Sequence, residues 1–251
     1  MSGHSKWSTI KHGKAVSDAR RGKLFTRLTR EIIAAVSQGG VDPEMNFRLR
    51  MAVQRAKDNN MPNDNVERAI KRASGDGDDA IRLTETMYEG YGPGGTAILL
   101  QVLTDNKNRT VSEVRSTFSK AGGNMSEAGS VAWQFQQRGV INVETGEDQA
   151  DEITLAAIDA GAEDFESFDS VLSIYSAPES LETLRTTLTK YGAQLRSSEL
   201  SMVATNTVSL DEKSAMSTLR LLDQLEELDD VQKVFSNADF PDEVLERYSG
   251  E

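Results

Sequence analysis

The chain has 251 residues, 37% of them hydrophobic and 27% charged, with a formal net charge of -12, two histidines and no cysteine. That length suits two or three domains with real cores, and the missing thiols exclude disulfides, thiolate metal sites and a cysteine nucleophile. Apolar runs such as Ala97 to Leu100 fall far short of the roughly 20 residues of a membrane helix. The opening Met1-Ser2-Gly3-His4-Ser5-Lys6 has no apolar signal segment, so a cytoplasmic protein without a membrane partner is expected.

The charge is split along the chain. Met1 to Gly75 holds 15 Lys and Arg against 7 Asp and Glu, a net of +8, and the remainder has a net of -20. A basic module on an acidic body points to a polyanion contacted by one end only.

The basic part reads as helices. Between Ser17 and Gln38, Leu24, Phe25, Leu28, Ile32, Ile33 and Val36 recur at helical spacing. Arg20, Lys23, Arg27 and Arg30 step along the other side, so this stripe is expected to face outward. Gly39-Gly40 stops the helix and Asp42-Pro43 starts the next, whose inner face is Leu49, Ala52, Val53 and Ala56. A third helix begins at Asn63 or Asp64, with Val66, Ala69 and Ile70 inside and Arg68, Lys71 and Arg72 outside. Ser74 to Asp79 reads as a linker.

Beyond it the pattern is mixed α and β. Strands are expected at 96–103 and 131–135 around a helix at 109–121. The stretch 140–203 runs strand, helix, strand, strand, helix, strand, the ferredoxin-like order. A strand at 206–209, a helix at 211–228 and a strand at 231–235 follow. Joined to the elements before 140, they make a second unit of the same order. The expected fold class is therefore α+β with three domains: a basic helical bundle at 1–78, a discontinuous α/β domain at 79–136 and 204–251, and a ferredoxin-like α/β domain at 137–203 inserted into it.

Candidate chemistry is sparse. His4 and His12 have no third ligand at metal spacing, so no metal is expected, and no G-x-S-x-G elbow occurs. Gly90 to Gly95 reads as a hairpin turn that needs positive φ, since a phosphate loop would lead into a helix. Asn108 is a candidate N-cap, and Lys107 and Arg109 beside it are possible phosphate contacts. The strongest pattern is the basic one: Arg20 to Arg30 holds five cations and no acid, whereas surfaces built for solubility intersperse both signs. Lys6, Lys11 and Lys14 add cations, and Trp7 adds an aromatic that could stack on a nucleobase. Nucleic acid is the expected partner.

The residues also resemble a known family. Gly3-His4-Ser5-Lys6-Trp7, Ile10-Lys11-His12 and Asp18-Ala19-Arg20-Arg21-Gly22-Lys23 are similar to the opening of the YebC family. Met61-Pro62, Arg68-Ala69-Ile70-Lys71-Arg72, Tyr88 to Gly95, Asn108-Arg109-Thr110 and Gly129-Ser130-Val131-Ala132-Trp133 extend the likeness over nearly the whole chain. Gly13 stands where the family often has a basic residue and Phe47 where it often has proline. The family includes bacterial proteins labelled as transcriptional regulators and the mitochondrial translational activator of cytochrome c oxidase. The resemblance implies three domains, no catalytic site, no cofactor and control of gene expression. Lys6, Lys11, Arg20, Arg21, Lys23, Arg27, Arg30, Arg68, Lys71 and Arg72 would touch nucleic acid.

The leading expectation is a transcriptional regulator that binds DNA through its basic helices. The alternatives are a factor that binds ribosomal RNA and relieves stalling on proline-rich stretches, and, from another class, an enzyme on the ferredoxin-like body. Few Asn or Gln accompany the cations, which weakens base reading and keeps RNA recognition open. The sequence sets no oligomeric state.

Overall fold

The structure of the protein, a computed structural model, describes Trp7 and residues 18–75, 83–168 and 170–250. Lys6, Lys11 and Lys14, with both histidines and Gly13, lie outside the described residues, and so do residues 76–79 of the expected linker.

Among the described residues from Asp18 onward, three helices come first: α1 (Asp18–Gly39), α2 (Phe47–Asp58) and α3 (Asn63–Ser74). The apolar positions read from the 3.6-residue period meet in one core, where Leu28, Ile32 and Val36 of α1 pack on Leu49, Ala52 and Ala56 of α2 and on Val66 and Ala69 of α3. The corner between α1 and α2 is held by Asn46. Its side chain accepts from the Leu49 amide at 3.0 Å and donates to the Ala35 and Gly40 carbonyls, each at 2.8 Å. The cap of α2 is therefore Asn46, and Asp42-Pro43 lies in the preceding turn.

The body contains two four-stranded sheets. The first joins β1 (Thr84–Tyr91), β2 (Ala97–Thr104), β3 (Asn124–Ser126) and β9 (Val231–Ser236) in the antiparallel order β3-β1-β2-β9. Helices α4 (Lys107–Lys120), α7 (Glu212–Glu226) and α8 (Asp242–Gly250) accompany it. One face of its central strand β2 gives Ile98, Leu100 and Val102 to the core with Phe118, Leu219 and Leu222. The other face gives Ala97 and Leu99 to a smaller core with Val131, Phe135 and Phe235. Buried on both sides, β2 is apolar from Ala97 to Leu103 except at the half-buried Gln101, with no alternation.

The second sheet takes β4 (Phe135–Glu144), β5 (Ala162–Phe168), β6 (Val171–Ser176) and β7 (Gln194–Ala204) in the order β5-β6-β4-β7. With α5 (Glu147–Asp159) and α6 (Leu181–Lys190) it has the ferredoxin-like element order. Ile141, Val143, Leu172 and Ile174 pack against Leu184 and Leu188 of α6. All of these strands fall between β3 and β9 of the first sheet. We propose the three-unit division drawn from the sequence, with the middle unit's limits moved to 135 and 204, where its outer strands begin and end.

Two strands of the first sheet are the expected ones, 96–103 as β2 and 231–235 as β9, and β1 and β3 take the places expected for 131–135 and 206–209. Its hairpin β1–β2 comes before α4, and β3 supplies the strand after α4. The expected strand 131–135 is a short 3-10 turn, Ala132–Gln134, followed by the long β4. The Glu89 carboxylate explains this. It accepts the backbone N–H groups of Gly129 at 2.7 Å, Val131 at 2.6 Å and Ala132 at 2.8 Å, so these cannot enter a ladder. The expected strand 206–209 is reduced to β8 (Val208–Ser209), which pairs in parallel with β10 (Ala238–Asp239) outside both larger sheets. The Gly90 to Gly95 stretch closes the β1–β2 hairpin as expected, with Gly94 at φ 72°. A Cβ at Gly94 would also lie 2.4 Å from Leu210 Cδ2, so only glycine fits there.

Candidate nucleic-acid interface

The basic helices have two faces, and the structure divides the predicted cations between them. Lys23, Arg27 and Arg30 face the acidic body. Lys23 Nζ donates to the Glu227 carbonyl at 3.4 Å, and Arg27 donates to the Glu226 carbonyl. These carbonyls sit at the C-terminal end of α7, where unsatisfied C=O groups and the helix dipole favour cations. Arg30 Nη1 donates to the Leu103 carbonyl at 2.8 Å and to the Asp230 carboxylate at 2.5 Å. Burial, then the neighbouring Arg55, lower the Arg27 guanidinium from its ordinary value, against an opposing pull from Asp229. The expected outward stripe is corrected accordingly. Lys23, Arg27 and Arg30 share a side of α1 as the spacing predicts, but that side meets another domain. For Arg20 the described feature is its place in the first turn of α1.

Asp230 is the centre of this seam. It is 2% exposed and accepts from Arg30, from Arg109 Nη2 at 2.8 Å, from Thr110 Oγ1 at 2.6 Å and from Thr104 Oγ1 at 3.1 Å. Burial alone would raise its carboxyl. The bonds from Thr110 and Arg109 and the charge of Arg30 outweigh that and hold it below the usual carboxylate range. Arg109 also binds Asp105 at 2.8 Å, and the two carboxylates, Asp230 foremost, raise its guanidinium. Arg109 is thus a partner of two carboxylates in the protein, which corrects its reading as a phosphate contact. Helix α4 is capped by Asn106, which accepts the Arg109 amide at 3.1 Å, and the expected cap Asn108 lies inside the helix. Lys107 stands exposed in its first turn.

Two further carboxylates of the body take arginines from the helices. Glu85 of β1 pairs with Arg48 at 2.8 Å and accepts from Gln101 at 2.7 Å. Burial raises the Glu85 carboxyl, but Arg48 and Gln101 outweigh it and hold it low. Glu199 of β7 pairs with Arg55 at 3.2 Å and with Lys233 of β9 at 2.9 Å, joining all three units at one side chain. Sequence reasoning missed these contacts. A signal was present for the first seam, since Glu226-Glu227-Leu228-Asp229-Asp230 is an acidic run of the right sign to meet the stripe.

The outward face keeps the other predicted cations. Arg21, Arg68, Lys71 and Arg72 are exposed, together with Arg50 and Lys57. Arg68, Lys71 and Arg72 lie three and four residues apart, so they share one side of α3. Arg68 bonds within its own helix, to the Asp64 carbonyl at 3.2 Å and Asn65 Oδ1 at 2.6 Å. Two of the amide side chains among these cations are engaged as well: Gln54 with Asp58, Asn59 with the Arg55 carbonyl.

Trp7 corrects a further expectation. It is 3% exposed and packs in the core of the first sheet with Ile98, Phe118 and Leu222, where it cannot stack on a base. The exposed tryptophan is Trp133, 70% exposed, whose indole N–H donates to the Ser130 carbonyl at 3.1 Å. Tyr91, within the glycine-rich stretch, donates to the same carbonyl at 3.0 Å.

The surface has an open groove of about 650 Å³ lined by Asp211, Lys213, Arg220 and Arg247. Among the described residues, no three His, Asp or Glu side chains cluster as metal ligands, and no helix is long and apolar enough to cross a membrane.

Comparison with known proteins gives the same family throughout. Residues 5–76 match the TACO1/YebC protein N-terminal domain, and residues 83–238 match the TACO1/YebC second and third domain. A probable transcriptional regulatory protein of Dehalococcoides mccartyi is 55% identical over 248 residues, covering 99% of this chain and 98% of that one. One of the same description from Halothermothrix orenii is 49% identical over 254 residues, covering 100% of both chains. The crystal structure of a conserved hypothetical protein from Aquifex aeolicus superposes with a TM-score of 0.82 at 42% identity, covering 92% of this chain and 98% of that one. The likeness runs through helices and sheets alike: this chain belongs to the TACO1/YebC family.

Proposed function

We propose that this protein is a non-enzymatic regulator of gene expression that binds nucleic acid through the outward face of its helical domain. One observation carries the reading. Arg21, Arg50, Lys57, Arg68, Lys71 and Arg72 remain exposed on the domain with the +8 charge after the inner cations have found partners in the body. Lys6, Lys11, Lys14 and Arg20 belong to the same proposed contact by position in the chain. Arginine and lysine on exposed helices bind phosphates, which supply affinity without base identity. The acidic body repels a polyanion and turns the basic end towards it. Relatives named as transcriptional regulatory proteins support DNA as the target.

A second reading, ribosomal RNA, is favoured by a specific feature. Base reading in a major groove relies on Arg, Asn and Gln free to meet base edges. Here Gln54, Asn59 and Asn65 bond within the helices. Phosphate and shape recognition, the usual mode for structured RNA, needs no such groups. The deciding experiment is crosslinking in cells followed by sequencing of the bound nucleic acid. Promoter DNA supports transcription, ribosomal RNA supports translation, and no enrichment of either over a variant with Arg68, Lys71 and Arg72 changed to Gln overturns the proposal.

A further inference from the structure

The inner and outer cations lead to an inference about how the nucleic-acid surface is bounded. Three arginines of the helical domain end on three carboxylates of the body: Arg30 on Asp230, Arg48 on Glu85 and Arg55 on Glu199. The carboxylates come from separate elements: the turn before β9, the strand β1 and the strand β7. Attachment at three elements resists rotation about more than one axis. Each carboxylate is also held from within the body. Asp230 is held by Thr104, Thr110 and Arg109, Glu85 by Gln101, and Glu199 by Lys233. The acceptors are therefore held independently of the helices, which lowers the cost of ordering each pair. The seam arginines are partly buried, so salt screens them less than exposed pairs.

We propose that Asp230, Glu199 and Glu85 are positioning residues: they hold the helical domain in one orientation on the body and confine nucleic-acid binding to its outward cations. The first half stands on geometry alone, and the second rests on the function proposed above. The body thus acts on binding without touching the ligand. It withdraws Arg30, Arg48 and Arg55 from a surface that charge counting would assign to phosphate.

The absence of native cysteine allows a clean test. Glu67→Cys on α3 and Ser112→Cys on α4, both exposed positions, carry a spin-label pair across the seam. The distance distribution is measured in the full chain, in Glu85→Gln/Glu199→Gln and in the same variant with Asp230→Asn added. The first variant changes only partly exposed side chains, so it stays informative if the second fails to fold. In parallel, unlabelled proteins are titrated with salt on a 25-base-pair DNA duplex. The distribution should be narrow in the parent and broad in the variants. Releasing Arg48 should steepen the salt slope by about 0.9 for each phosphate newly bound, whereas Arg55 keeps Glu31 of α1 as a partner at 3.4 Å. Exchanging the charges, Arg48→Glu with Glu85→Arg, should narrow the distribution relative to Glu85→Arg alone. A distribution unchanged in every variant overturns the positioning role. A broadened distribution with an unchanged slope overturns the confinement. If no protein binds the duplex or purified ribosomes, the functional reading and the confinement fall together, and the distances still decide whether the carboxylates hold the domain.

Discussion

The two faces of the helical domain carry the same side chains and live in different surroundings. On the inner face Arg30 ends on a carboxylate that is 2% exposed, and Arg27 ends on a helix carbonyl. On the outer face Arg21, Lys71 and Arg72 extend into water. A guanidinium against a buried carboxylate is part of the fold, because removing either partner strands the other. One in water is nearly neutral for stability and free for a ligand. Charge asymmetry along a chain therefore has two possible uses, internal docking and external binding, and a residue count adds them together.

Acid should break the comparison most completely, because it discharges the inner face at once. Asp230 and Glu85 at the seam and Glu89 in the body are all held below their ordinary values in the folded protein. Groups lowered in this way contribute stability above their unfolded values, about 3.9 for Asp and 4.3 for Glu, and lose it as pH falls through the lower folded values. Stability should be level above about pH 5 and fall steeply below about pH 4. The check is a series of urea unfolding curves across that range. A midpoint that stays constant down to pH 3 would remove these carboxylates from the account.

Asp230→Ala should have the largest single effect. It leaves the largely buried Arg30 without its carboxylate, and breaking such a pair costs about 3–5 kcal/mol. Urea unfolding at neutral pH measures it. Glu89→Gln should cost less, about 1–3 kcal/mol, because the amide keeps one acceptor for the three N–H groups now held by two charged oxygens. Hydrogen exchange of Val131 and Ala132 should rise with it.

Changing Arg68, Lys71 and Arg72 to Gln should sit at the other end. Exposed substitutions with similar helix propensity move stability by about 0.5 kcal/mol or less. The salt slope of nucleic-acid binding should nevertheless fall by about 0.7 to 0.9 for each phosphate that the variant no longer neutralises. Arg30→Gln sharpens the contrast: stability should fall while the slope holds. If Arg30→Gln lowers the slope of a stably folded protein, the two faces are not separate.

The helices and the ferredoxin-like order were legible because each rests on local period. Leu28, Ile32, Leu49 and Val66 show which side of each helix is apolar. Period says nothing about what meets the polar side, so the stripe at Lys23, Arg27 and Arg30 reads equally as a solvated face or a seam. The strand at 131–135 was misread for a related reason. Val131 and Phe135 have strand character, but the backbone there answers to Glu89, more than forty residues earlier in the chain. Trp7 sits among lysines in sequence and among leucines and Phe118 in space. The outward cations were legible in part: Arg68, Lys71 and Arg72 stand outside as their spacing implies, whereas the exposure of Arg50 and Lys57 depends on how α2 packs.

The strand order of the first sheet has a consequence for synthesis on the ribosome. Strand β2 pairs with β1 on one side and with β9 on the other, and β9 begins only at Val231. The second sheet, by contrast, has all its strands once Ala204 has been made. At roughly 5–20 residues per second, the apolar edge of β2 waits on the order of ten seconds for its partner. An open edge that carries Ile98, Leu99 and Leu100 is a template for pairing with a stray chain. The nascent chain is most exposed to aggregation while the middle unit is being made, and a translational pause between residues 104 and 231 would lengthen that interval.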